Sequence, residues 1–122
     1  MKPTTIGDLL DRYHDGERDF ADCHFDCHDN LQFMTFDYCV LDGSTFNAAD
    51  FTHSTFVGAS LKSCVFRNCQ FEHVDFSDAN FSSADLTGAT FKDCEFKNAS
   101  FDQVKYFDHR LNTEDFLKYF AK

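Results

Sequence analysis

An apolar side chain returns at every fifth position of this chain for more than half its length. From Leu31 the series runs through Phe36, Leu41, Phe46, Phe51, Phe56, Leu61, Phe66, Phe71, Phe76, Phe81, Leu86, Phe91, Phe96, Phe101 and Tyr106. These are sixteen positions, of which eleven are Phe, four Leu and one Tyr. An internal repeat of this kind restricts the fold more than composition does. Five residues turn an α-helix through about 500°, which scatters the rings around the axis. In a flat strand the rings alternate between faces. Neither arrangement gives one core.

The remaining slots resolve this. With the ring position called i, position i−2 reads Asp29, Met34, Cys39, Ser44, Ala49, Ser54, Ala59, Cys64, Cys69, Val74, Ala79, Ala84, Ala89, Cys94, Ala99 and Val104. After the first two, every one is small. Positions i−1, i+1 and i+2 are mostly Thr, Ser, Asn, Asp, Lys and Gly. Two inward slots, one large and one small, are thus separated by one polar residue, as in a strand. Two polar residues then follow in succession, which breaks the alternation and marks a corner. Each unit is a short strand plus a corner, and repeated corners wind the chain into a coil. Successive coils stack about 4.8 Å apart. A unit buries its ring only by stacking on its neighbours, which makes the fold a solenoid.

The units "ADLTG", "ANFSS", "ADFTH" and "ASLKS" resemble the A-[DN]-[LF]-x-x unit of the pentapeptide-repeat family, over about residues 18–108. The leader "LLDRYHDGERDF" resembles the opening of many cyanobacterial members. The resemblance implies an all-β solenoid: a right-handed quadrilateral parallel β-helix with twenty residues, or four units, per coil. Residues 29–108 would then make four coils, after a half-coil centred on Phe20 and Phe25. The expected core is Phe36, Phe46, Phe51, Phe56, Phe66, Phe71, Phe76, Phe81, Leu86, Phe91, Phe96 and Phe101. Phe25 and Leu31 stand six apart rather than five, so one inserted residue and a bulge are expected around Asp29–Asn30. Asp29 falls in an inward slot, solvated or hydrogen-bonded beside the insertion, and Phe33 in an outward one.

The ends are not repeats. Ile6, Leu9, Leu10 and Tyr13 fit one helical face, capped by Thr4 or Thr5 and ended by Gly16, giving a helix over 4–16. Phe116, Leu117 and Phe120 form a stripe in a second helix over 112–121, capped by Asn112 or Thr113. Such helices cover the open ends of a solenoid. The whole chain, 1–122, reads as one domain. No apolar run approaches the roughly 18 residues of a membrane span, and no secretory leader is evident. The cytoplasm is therefore the expected compartment, without membrane contact. A net charge of −10 argues against direct binding to nucleic acid. Residues 1–60 hold 11 acids against 3 bases, and residues 61–122 hold 10 against 8.

Six cysteines invite a disulfide or metal reading. Cys23, Cys39, Cys64, Cys69 and Cys94 occupy the small inward slot, however, and fit there as packing. No two of them fall in register on adjacent coils. Cys27 alone is expected to be exposed. In "CHFDCH" the strand alternation points Cys23 inward and His24 outward, so they do not share a tetrahedral ion. Four outward residues are in register one coil apart, Phe33, His53, His73 and Asp93. They predict one surface column, which reads as a solvated ladder, with a metal or a pH-sensitive histidine pair as alternatives. No nucleophile, base and orienting group converge, and the ring-filled interior leaves no pocket. The chain therefore reads as not an enzyme, with no cofactor and no metal. Its expected role is a rigid protein–protein interaction module with an unknown protein partner. The resemblance implies a second class, in which a long acidic β-helix dimer imitates DNA in the groove of a type II topoisomerase such as gyrase. Four and a half coils reach only roughly 22 Å. The column Asp37, Val57, Ser77, Lys97 also changes sign along its length. A homodimer joined through the terminal helices is the alternative to a monomer.

Overall fold

The structure, a computed structural model, describes residues 2–25 and 30–121. Its elements in chain order are β1 (Lys2–Thr4), α1 (Ile6–His14), β2 (Cys23–Phe25), β3 (Thr45–Phe46), β4 (Gln70–Glu72), β5 (Thr90–Lys92), β6 (Val104–Tyr106), β7 (His109–Leu111) and α2 (Thr113–Phe120). The strands are short because the repeat allows only two or three extended residues before each corner.

Parallel pairing joins residues one coil apart. Asn30 pairs with Asp50, Thr35 with Thr55, Val40 with Ser60 and Thr45 with Val65, and the pattern continues to Asp85 with Lys105. Each coil donates forward and backward. Phe36 N–H reaches the Thr55 carbonyl at 2.8 Å, and Thr55 N–H returns to the Met34 carbonyl at 2.9 Å. The backbone polar groups are thereby satisfied without long strands. Earlier in the chain the register differs: His24 pairs with Thr45 and Phe25 with Phe46, a separation of 21, whereas Asn30 and onward pair at 20. The extra residue therefore falls between Phe25 and Asn30. The expected bulge itself, Cys27 and Asp29 lie outside the described residues.

The rings form columns along the axis. Phe36 stacks on Phe56 at 4.7 Å between centroids, and Phe51 on Phe71 at 5.2 Å. Around a coil they meet edge to face, as Phe51 and Phe56 do at 5.4 Å and 65°. Both geometries are favourable for a ring quadrupole. The small slot has a polar task that its size does not reveal. The hydroxyl of Ser54 donates to the Leu31 carbonyl at 2.6 Å and accepts from Met34 N–H at 3.1 Å. Ser44 does the same between Phe20 and Cys23. The Cys64 thiol donates to the Leu41 carbonyl at 2.9 Å. Cys94 reaches Phe71. The two serine hydroxyls are thus inserted between a corner N–H and the corner carbonyl, whereas the Cys64 thiol uses the second lone pair of a Leu41 carbonyl that already accepts from Ser44 N–H at 2.9 Å.

The ends bring several corrections. Thr4, expected at the start of the helix, instead ends β1, which pairs in parallel with β2. The helix begins only at Ile6, with the Thr5 hydroxyl accepting from Asp8 N–H at 3.0 Å. Gly16 follows the cap residue Asp15 at φ +95°, a value suited to glycine. Leu9 is fully buried on the first coil, but Leu10 points outward. At the other end the chain does not go straight from coil to helix. β6 and β7 form an antiparallel hairpin. Asn112 caps α2 by accepting from Asp115 N–H at 2.8 Å, while the Thr113 hydroxyl accepts from Phe101 N–H. Phe116 of α2 is buried and stacks on Phe101 at 3.8 Å. Phe91 and Phe96, expected fully inside, are only half-buried, as is Cys94. They belong to the last coil, which has no coil beyond it and is covered only by Phe116 and Phe120.

Candidate interaction surface

The outward columns follow from the corners. Most corners are turns closed by a hydrogen bond from residue i+3 to the carbonyl of i, as in Ser54 N–H to Phe51 at 2.9 Å. Its third residue, i+2, takes left-handed backbone. Every described i+2 residue from Asp22 to Gln103 has φ between +53° and +75°. This conformation favours glycine, and Gly43, Gly58 and Gly88 supply it. Bulky side chains hold it elsewhere, Phe33 at +60°, Tyr38 at +63°, His53 at +62° and His73 at +54°. Aromatic residues pay for this region in local strain, so their presence on exposed corners is notable.

The predicted column is present, with all four members brought together. The ring of Phe33 stacks on His53 at 5.0 Å and 13°, and His53 on His73 at 4.9 Å and 7°. Nε2 of His73 lies 4.0 Å from Oδ2 of Asp93 and 3.9 Å from Oε1 of Glu72, which also faces Nζ of Lys92 at 3.8 Å. Phe33 is 74% exposed. The next corner carries a residue that the sequence reading passed over. Tyr38 is 66% exposed, and its ring lies over Gly58 one coil on, where an added Cβ would stand 2.7 Å from the ring. The signal available was a glycine in register below an exposed tyrosine. Along both corners the residue type changes in the same direction. Aromatic rings occupy the coil that begins at Asn30, and carboxylates appear further on, Asp93 three coils below Phe33 and Asp78 two coils below Tyr38, with Asn98 after it. Between the corners the series Thr35, Thr55, Asp75, Glu95 repeats this change.

Many of the acids have structural employment. Asp50 accepts from the Thr52 N–H at 3.0 Å and hydroxyl at 2.5 Å, and from Gln32 at 2.8 Å. Burial pushes its carboxyl up, but the Thr52 and Gln32 hydrogen bonds outweigh this and hold it below the usual range. Asp85 is likewise raised by burial and lowered further by Thr87 and Arg67, whose Nε lies 2.7 Å away. Asp75 accepts from Ser77, Asn80 from Ser82 and Asp37 from Val57. Asp50, Asp75, Asn80 and Asp85, each just before an inward ring or leucine, thus tie down their own corners, whereas Asp37 follows its ring and holds the next coil. Among the described residues, no carboxylate bond of this kind is found for Asp78 or Glu95.

Beyond the columns, the C-terminal end holds a cleft of about 410 Å³ lined by Tyr106, His109, Leu111, Tyr119 and Phe120. The expectation of no pocket is corrected there, because the hairpin and α2 do not close fully on one another. Among the described residues, no group of three or more His, Cys, Asp or Glu is arranged to hold a metal ion. Cys23, Cys39, Cys64, Cys69 and Cys94 are free thiols. No helix among the described residues is long and apolar enough to cross a membrane.

The sequence pattern described as the pentapeptide repeat region matches residues 29–113. No curated protein sequence matches this chain. Solved structures do. A pentapeptide repeat protein from the cyanobacterium Cyanothece superposes with a TM-score of 0.69 at 14% identity, over 74% of this chain and 60% of that one. This chain therefore spans less than two thirds of that protein's length. A pentapeptide repeat protein from Nostoc gives 0.48 at 20% identity, over 97% and 95% of the two chains. One from the thylakoid lumen of Arabidopsis thaliana gives 0.45 at 20%, over 83% and 73%. The Cyanothece likeness speaks for the fold alone at this identity. The family pattern covers most of the chain, and its coils pair in the twenty-residue register that four such units require, so this chain belongs to the pentapeptide-repeat family.

Proposed function

We propose that this chain is a non-enzymatic interaction module that docks a partner protein on the two adjacent corners carrying Phe33 and Tyr38. The observation that carries this reading is the pair of large aromatic side chains, 74% and 66% exposed, held in left-handed backbone on a stiff scaffold. Exposed apolar surface on a soluble fold costs solubility, and grouped exposure marks contact sites. Aromatic side chains with few rotatable bonds lose little entropy when a partner covers them. The core offers no competing role for these rings, because Leu31, Phe36 and Leu41 already fill the inward positions beside them.

The acidic alternative, a DNA mimic acting on a type II topoisomerase, draws less support. A mimic needs free carboxylates in long rows, and Asp37, Asp50, Asp75 and Asp85 are hydrogen-bonded within the fold.

The test is differential capture from the native host. The wild-type chain and a Phe33→Ser, Tyr38→Ser double variant serve as baits, with matched circular dichroism and melting to show that both are folded. A protein bound by the first and lost from the second supports the docking face. Identical captured sets from the two baits refute it.

A further inference from the structure

The docking face is graded, and the grading specifies its partner. Phe33 and Tyr38 lie on the coil that begins at Asn30, both exposed. Two and three coils further on, the same corners carry Asp78 and Asp93, and the side between them carries Glu95. Of the carboxylates on this lower part, Asp75 is engaged by Ser77 at 2.9 and 2.6 Å, and Asp93 meets only the His73 ring edge at 4.0 Å. Lys92 and Lys97 are the two cations of these units. Lys92 faces Glu72. The acids therefore outnumber the bases where the aromatics end.

Resting on the reading that this face docks a protein, we infer that its occupant is an extended peptide segment running along the solenoid axis, with an aromatic side chain on Phe33 and Tyr38 and an arginine on Asp93 and Glu95. The spacing follows from the coil repeat. Phe33 and Asp93 are three rungs apart, roughly 14 Å at about 4.8 Å per rung. An extended peptide rises about 3.4 Å per residue and presents every second side chain on one face, so positions four apart lie on one side and span nearly that distance. Arginine suits the lower site because its planar guanidinium forms paired bonds with carboxylates and also stacks on rings such as His73.

Fluorescence anisotropy with three labelled peptides tests this at low salt. The probes are Ac-GWSTSRG-amide, its short-spaced counterpart Ac-GWRTSSG-amide, and its charge-reversed counterpart Ac-GWSTSEG-amide. The first is expected to saturate and to bind at least tenfold tighter than the third and severalfold tighter than the second. Added salt should weaken it. Phe33→Ser should reduce its affinity about fivefold or more. The Asp93→Asn, Glu95→Gln double variant should do likewise and flatten the salt dependence. Both variants are changed on exposed side chains, and their melting confirms folding. Equal binding of the arginine and glutamate probes, or affinity unchanged in both variants, overturns the partner chemistry. So does the lack of saturable binding by the arginine probe. In each case, differential capture by the Phe33 and Tyr38 pair would still stand or fall separately.

Discussion

Replacing Phe76 by Ala is the sharpest probe of the stacked core. Phe76 is fully buried in the third of four coils. Its ring stacks on Phe56 at 5.4 Å and Phe96 at 5.8 Å, and meets Phe71 and Phe81 edge-on at 5.1 and 5.0 Å. Removing the ring forfeits its burial, about 2–3 kcal/mol. The coil above and the coil below are each fixed by backbone hydrogen bonds, so the void does not collapse. A residual cavity of roughly 50–80 Å³ adds about 1–2 kcal/mol at about 24 cal/mol per Å³. The expected loss is therefore about 4 kcal/mol. At about 4 °C per kcal/mol for a chain of this size, the melting midpoint falls roughly 15 °C. Phe96→Ala is the internal control. Phe96 is half-buried in the last coil, stacked on Phe76 on one side but covered on the other by Phe116 of α2 and not by a further coil, so its loss should be about half as large. Urea denaturation followed by far-ultraviolet circular dichroism and by tyrosine fluorescence measures both. Agreement of the two probes establishes that coils do not melt separately, as stacked repeats sometimes do. A loss below about 1 kcal/mol for Phe76→Ala, or an equal loss for Phe96→Ala, refutes the picture of a core stiffest at its middle.

Burial raises the Cys39 thiol from 9.0 to about 12 and also raises Cys64, so both should alkylate slowly in the native state, with half-buried Cys94 the fastest of the five described thiols. Native labelling of Cys64 as fast as Cys94 contradicts the inward slot. Because the folded chain holds the Cys39 proton more tightly, its contribution to stability is intact below pH 9 and is lost as pH rises toward 12; denaturation midpoints at pH 8 and 10.5 should converge more in Cys39→Ala than in wild type. Ser54→Ala leaves the half-buried Met34 N–H without its 3.1 Å acceptor and should cost about 1–2 kcal/mol in urea denaturation, whereas Ser54→Cys should recover part of this; a neutral Ser54→Ala would show that the hydroxyl is idle. In a low-salt supercoiling assay the chain is expected not to inhibit DNA gyrase. Inhibition at low micromolar concentration, lost on changing Asp37, Asp75 and Asp78 to Asn, would make the DNA-mimic reading the leading one.

The period of five determined a great deal without coordinates. A large and a small inward slot separated by one residue, followed by two outward residues, admits a coil and excludes a helix or a flat sheet. The column Phe33, His53, His73, Asp93 was legible for the same reason: once the coil has twenty residues, register alone brings those side chains together. The capping residues Thr5 and Asn112 were within reach because a cap is local chemistry. What the sequence left open depends on neighbours distant in the chain. Residues 2–4 form a strand only because β2, some twenty residues later, offers them an unpaired edge. Asp50, Asp75 and Asp85 look like surface charge until the turn brings the N–H two residues on within reach of each. Phe91 and Phe71 occupy the same slot, yet Phe71 is buried and Phe91 is not, because a coil follows one and only a helix follows the other. Slot chemistry is set by five residues at a time, whereas burial, pairing and the freedom of a carboxylate are set by what the next coil places against them.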